Sequence, residues 1–322
     1  MKKMLSKKSK GESTSQELVL NKKSLAKRIM AHWQLYILML PALVFIILFR
    51  YKPMYGIIIA FKDFSLKKGI MGSPWVGFDN FERLFKTYTF PIALRNTLVI
   101  SFTSMIVNFP LPIIVALAVN EIKNTKAKKL IQTVSYAPHF ISTVVMCGMV
   151  ILFLSPSQGM INHFIEFLGG ERISFMQESH LFKWVFALSG AWQGAGWGAI
   201  IYFSALAAVD KTHLEAAEID GASRFQQVLY INLPTIVPVI AIQLILRCGS
   251  LVSVGYEKAL LLQNSANISA SEVLSTYVYK MGLQNFDYSF STAANIFNSI
   301  CNIIILLVVN KISAKVTETS LF

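Results

Sequence analysis

Six stretches of mostly apolar residues constrain this 322-residue chain more than any other feature. They cover approximately 33–49 (extendable through 56–61), 91–119, 130–154, 181–209, 236–262 and 292–309. A helix needs about 20 mostly apolar residues to cross the hydrocarbon of a bilayer. Composition agrees: only 15% of residues are charged and mean hydropathy is +0.53, whereas a soluble domain carries about 25% charged residues. The expected fold is all-α, a polytopic membrane protein of about six transmembrane helices.

The net charge of +13 is concentrated near the start: nine Lys/Arg precede residue 30. A basic segment ahead of an apolar run is the usual cytoplasmic flank, so the charge argues for a membrane surface and not for nucleic acid. The first apolar run is long and no small-residue cleavage site follows it, so a cleaved signal peptide is not expected. The expected organisation is a basic tail over 1–30 and a transmembrane domain over 31–322. The 120–129 loop carries four lysines against Glu121, and Lys311 and Lys315 follow the last run. With six spans all three basic segments lie inside, together with both termini, and the acidic 155–180 loop lies outside. One loop disagrees: 50–95 carries eight Lys/Arg yet is assigned outside. The segment SPWVGFDNF, 73–81, marks it as a small folded cap. Cys147, Cys248 and Cys301 all fall inside apolar runs and read as free thiols, with no metal site and no redox role.

Between the fourth and fifth runs the chain turns polar: HLEAAEIDGASRFQQVLYINLP, 213–234. Thr212 and Glu215 fit a capping box opening a first short helix. Gly221 stands where a left-handed residue would close it. Ser223 and Gln226 fit a second capping box, and Pro234 can open the fifth span, where a missing N–H costs least. The expectation is helix, tight turn, helix. Leu214, Ala217 and Glu218 share one face of the first helix, which suits insertion into a partner's groove.

The spacing Glu215-Ala216-Ala217, three residues, Gly221, nine residues, Ile231-Asn232-Leu233-Pro234 matches the EAA pattern. It resembles the permease subunits of binding-protein-dependent, type I ABC importers. SYAPHFISTVV (135–145), YEKALLLQN (256–264), SEVLSTYVYKMGL (271–283) and YSFSTAANIFNS (288–299) resemble the carbohydrate-uptake branch associated with lipoprotein-type and polysaccharide permeases. The resemblance implies that the 210–234 loop is a coupling helix docking on a cytoplasmic ATPase dimer. Leu214, Glu215, Ala216, Ala217, Glu218, Asp220, Gly221, Ala222, Arg224, Leu233 and Pro234 would serve that contact. It also implies a second permease subunit, an extracellular solute-binding lipoprotein and a carbohydrate substrate. ATP and Mg²⁺ would be held by the ATPase; no cofactor is expected in this chain.

Polar residues inside lipid tend to face a bundle interior or a watery cavity. Asn295, Asn298 and Asn302 form a stripe with Ser291 in the sixth run, suited either to sugar hydroxyls or to interhelical bonds. Trp192 and Gln193 lie among Gly190, Gly194 and Gly198, a small-residue ridge; Trp192 can stack on a pyranose or anchor at an interface. Arg247, mid-membrane by these boundaries, suits an acidic sugar or a pairing within a permease dimer. Glu257 and Lys258 fall near the outer end, as gate or binding-protein dock, and His139 reads as a packing residue at a kink. There is no P-loop, so energy must come from another subunit, and no H-E-x-x-H or G-x-S-x-G supports intramembrane hydrolysis. The alternatives are a permease for a non-sugar solute, a membrane enzyme, or an ion-coupled transporter, though no internal repeat of the last kind is visible.

Overall fold

The computed structural model describes residues 33–317, and the basic tail and the ETSLF end lie outside the described residues. The chain divides into two compact units at Gly56/Ile57. The first unit holds α1 (Trp33–Ile46), apolar on nearly every side, as suits a helix surrounded by lipid. A π turn, Ile47–Tyr51, continues it.

The second unit opens with the expected cap. Phe61 stacks on Trp75 at 5.8 Å and meets Phe78 edge-on at 5.5 Å. Gly77 takes a φ of 64° between them. Buried Asn80 donates to the carbonyls of Ala60 (2.9 Å) and Lys62 (3.1 Å), pinning the turn. A short helix, α2 (Asp79–Lys86), follows. Three of the loop's eight basic residues are partnered: Arg83 pairs with Asp287, Lys86 with Glu82, and Lys62 Nζ donates to the Ile70 carbonyl.

The second apolar run becomes α3 (Thr89–Asn108) and α4 (Pro110–Asn120), interrupted at Phe109. The third run is not one straight span. It forms α5 (Thr125–Tyr136) and α6 (Thr143–Phe153), bent by 100°. A 3₁₀ turn over Ala137–Phe140 contains Pro138, which lacks an N–H, and Ser142 caps a new helix by accepting from Val145 N. His139 stacks flat on Trp197 at 4.4 Å beside that bend, the packing role expected of it. After α7 (Met160–Phe167), α8 (Phe182–Leu206) packs against α3, α4 and α5.

The glycines of α8 do not form the expected continuous ridge. A Cβ at Gly194 would meet nothing within 4 Å. Gly190 and Gly198 are closely approached, by Lys258 and Asn108 and by Pro112, and the tightest contact is at Gly196, where a Cβ would collide with the Ser135 backbone carbonyl. Beyond α8 come α9 (Lys211–Ile219), α10 (Arg224–Gln227), α11 (Leu233–Cys248), α12 (Tyr256–Leu262), α13 (Leu274–Tyr279) and α14 (Tyr288–Thr317).

Among the described residues four helical runs are long and apolar enough to cross a membrane: 33–61, 89–120, 224–248 and 288–315; the bent pair α5–α6 makes five. Helix α8 has the length, 25 residues, but its glycines, serines, tryptophans and Gln193 dilute its apolar character. The fifth span is displaced from its expected place. It starts at Arg224, inside the polar segment, and stops at Cys248, leaving the apolar residues of α12 as a separate short helix. Three apolar clusters fix the frame. Ile100, Met146, Phe182, Leu262 and Val273 centre one; Leu84, Phe90, Val252, Leu274 and Phe290 a second; Ala116, Ala199, Tyr202 and Ile236 the third.

Candidate functional site: the loop after α8 and a cavity at a helix break

The loop folds as helix, turn, helix. Its first cap differs from the expected one. Asp210, not Thr212, is the N-cap, accepting from Thr212 N at 2.9 Å, and α9 begins at Lys211. Aspartate is the stronger capping residue, and α8 has already ended four residues earlier. The backbone N–H donated by Thr212 holds the Asp210 carboxyl below its ordinary pKa. Gly221 closes α9 with φ of 79°. The N–H of Gly221 donates to Glu218 O (3.1 Å) and that of Ala222 to Ala217 O (2.8 Å), a complete Schellman pair. Ser223 and Gln226 form the expected reciprocal capping box. Pro234 does not separate the second helix from the fifth span. A π turn, Val228–Asn232, carries α10 directly into α11, with Pro234 in its first turn.

Of the expected docking face, Leu214 and Ala217 are half-buried and Glu218 is exposed. Leu214, Glu218 and Arg224 line a cavity of about 240 Å³ against Asn120–Lys123, the end of α4. Within it Asn232, 1% exposed, donates to Glu121 Oε1 at 3.2 Å. Ala217 is half-buried on the same side. The outward face presents Glu215, Ala216 and Asp220, with Ile219 (87% exposed), and Phe225 (75%) on the next helix. Ile219 and Phe225 were not singled out from sequence. Their signal is local: an apolar side chain beside each capping residue of a polar hairpin. Gly221, Ala222, Leu233 and Pro234 shape the turn and the entry to α11.

The residues read as a path separate into three groups. Arg247 lines a polar cavity of about 200 Å³ together with Ser101, Ser104, Asn108, Ser250 and Ser253. Asn295 and Asn298 line a neighbouring cavity of about 220 Å³ with Ser275, Tyr256 and Tyr279, whose rings stack at 5.2 Å. Asn302 is a brace: Oδ1 accepts from Val252 N at 3.0 Å and Nδ2 donates to Ser253 Oγ at 2.8 Å. Gln193 likewise donates to the Ile141 carbonyl at the α5–α6 bend, 2.9 Å away. Trp192 faces an apolar hollow lined by Phe153, Trp184 and Leu188, where the hydroxyl of Ser189 is already donated to the Val185 carbonyl. Lys258 is not at an outer gate. It is drawn inward, donating to Phe186 O at 2.7 Å and lying 4.3 Å over the Phe186 ring.

Comparison with known proteins gives these features a common context. The family "Binding-protein-dependent transport system inner membrane component" matches residues 108–318, which include the loop, the Asn295–Asn298 cavity and the Arg247 cavity from Asn108 onward. The polygalacturonan/rhamnogalacturonan transport system permease protein YteP of Bacillus subtilis is 39% identical over 94% of each chain. Protein LplB of the same organism is 40% identical over 89% of this chain and 91% of its own length. A crystal structure of a bacterial ABC transporter importing the acidic polysaccharide alginate superposes with a TM-score of 0.83 at 38% identity. It covers 92% of this chain and all of that one. A second alginate transporter structure, in complex with a periplasmic protein holding an alginate pentasaccharide, gives 0.84 at 37%, covering 93% of this chain and all of the other. By the extent of the family match and the near full-length identity to these permeases, the chain belongs to the inner-membrane permease family of binding-protein-dependent ABC transporters.

Proposed function

We propose that this chain is one half of the membrane pathway of an ATP-driven carbohydrate importer. Its 210–234 loop faces the cytoplasm and docks on a separate ATPase dimer. A second permease supplies the other half, and an extracellular binding protein delivers an oligosaccharide. ATP and Mg²⁺ belong to the ATPase. The observation that carries this reading is the loop itself. Two capped helices hold Ile219 and Phe225 outward, while Arg224 and Asn232 bond the second helix and its continuation to Glu121, just past the end of α4. A partner that pushes on the outer face therefore moves α4 and α11 together. Similarity to the polygalacturonan/rhamnogalacturonan permease and to the alginate importers supports carbohydrate over other solutes.

Gly221→Val tests the coupling role. Nothing lies within 4 Å of a Cβ built there, so the substitution acts through φ alone, forcing a β-branched residue into the left-handed region. In the reconstituted transporter, uptake of oligosaccharide is expected to fall at least tenfold while the permeases and ATPase still co-purify. Uptake at the wild-type rate would refute the coupling role.

A further inference from the structure

Helical hydrogen bonding fails at two places around the first polar cavity: within the 89–120 run, where α3 passes into α4 at Phe109, and at the end of α11. Helix α3 ends at Asn108, and Pro110 and Pro112 follow. Neither proline has an N–H, so the carbonyls four residues earlier, on Ile106 and Asn108, lose their helical donors. Helix α11 ends at Cys248, and residues 249–255 are irregular before α12 begins. At 1.5 Å per residue, Asn108 lies roughly 18 Å along α4 from Asn120, and Arg247 roughly 21 Å along α11 from Leu233. Non-helical backbone at such depth persists only where protein buries it or it lines a watery cavity.

The side chains there are unsatisfied. Ser104 Oγ and Asn108 Oδ1 are buried with no hydrogen-bond partner. Most buried polar atoms are paired, and an exception calls for a missing ligand or water. The charges are also uncompensated: among the described residues neither Arg247 nor Lys258 has a carboxylate within ion-pair distance. A Cβ on Gly190 would lie 3.1 Å from Lys258 Nζ and 3.2 Å from Asn108 Nδ2. The ammonium therefore sits beside the amide that lines the cavity, with only a glycine between them. Lys258 uses one donor on Phe186 O, and an ammonium has three. Cations inside a membrane domain are costly and mark a pathway or a partner.

We propose that Arg247 and Lys258, with Ser104 and Asn108, form a carboxylate-binding subsite that selects uronic-acid units of the transported sugar. The donor and acceptor sets fit. A carboxylate accepts from the Arg247 guanidinium, a free Lys258 proton and the Ser104 hydroxyl, whereas Asn108 Oδ1 requires a donor, such as a ring hydroxyl. Across the 253–256 backbone, where Ser275 Oγ donates to Val254 O at 2.6 Å, the Tyr256–Tyr279 pair with Asn295 and Asn298 offers aromatic and amide surface to the next ring. This subsite rests on the carbohydrate reading proposed above.

The test uses the full transporter reconstituted in vesicles with its binding protein, and two probes: trigalacturonate and its carboxyl-reduced, neutral counterpart. Arg247→Gln and Lys258→Met are each expected to lower trigalacturonate uptake at least tenfold at subsaturating concentration, mainly by raising KM, and to lower the acidic-to-neutral uptake ratio. Arg247→Lys is expected to restore part of that ratio. An unchanged ratio, equal loss for both probes, or loss of the permease heterodimer on size exclusion in Arg247→Gln would overturn the subsite, the last by making Arg247 an interface residue. Wild-type transporter that takes up neither probe would instead overturn the carbohydrate reading and the subsite with it.

Discussion

The loop after α8 and the Arg247 cavity are built in opposite ways. Every stabilising bond of the loop's turns spans five residues or fewer: Asp210 to Thr212, Ala222 to Ala217, Ser223 to Gln226. The cavity is assembled from α3, from Phe186 of α8 and from the end of α11 with the segment that follows it, three parts of the chain far apart in sequence. Local chemistry fixes the shape of the two turns, and the bonds from Arg224 and Asn232 to Glu121 anchor that preformed shape to the rest of the protein. Long-range assembly makes a chamber whose shape depends on how the helices are packed, and a path that opens and closes needs that dependence.

Substitutions can break this contrast. The largest effect is expected from Gly196→Ala. A single methyl there meets the Ser135 backbone and must shift α5 against α8, an overpacking cost of about 3 kcal/mol. The yield of monodisperse complex should fall several-fold or more, measured by fluorescence-detected size exclusion. Next is Ile219→Asp, which leaves the permease fold intact because the side chain is exposed. Recovery of the ATPase with the purified permease should drop several-fold; equal recovery would detach Ile219 from the docking face. The smallest is Asp210→Ala. The Asp210 pKa is lowered in the folded loop, so its cap is fully effective above the ordinary aspartate range near 4. That contribution is lost only as pH falls through the lowered value. At neutral pH the variant should lose less than half of the uptake, and the wild-type loop should match the variant's hydrogen exchange only in acid.

The same contrast explains what could be read from sequence. The Gly221 turn and the Ser223 box were legible because their partners are neighbours in the chain. Thr212 was misassigned because a second capping residue, Asp210, stands two positions earlier. The direction of Leu214 and Glu218 was not legible, since it depends on Glu121 and Asn120, about 90 residues away. Arg247 stood out as a lone charge in an apolar run. Ser104, Asn108 and Lys258 did not, because only tertiary packing brings Ser104 and Asn108 to its cavity and Lys258 to Phe186 on the cavity wall. Pro110 and Pro112 were nevertheless a visible sign that a helix breaks there. Asn302 and Gln193 looked like path residues but close backbone gaps, a distinction that polarity alone does not make. The six-run pattern gave the helical membrane fold but hid the 100° bend at Pro138 and the early start of the fifth span.

That early start has a mechanical meaning. From Arg224 to Cys248 the chain is one helical rod of 25 residues, about 37 Å long. One end lies in the turn beside Gly221 and the other carries Arg247. A shove delivered at the outer surface of the hairpin thus reaches the chamber wall along backbone alone, like a push rod, with no relay of side chains to slip. The compliant points along the rod are the π turn at Val228–Asn232 and Pro238, which removes one helical hydrogen bond, and there the stroke can be absorbed.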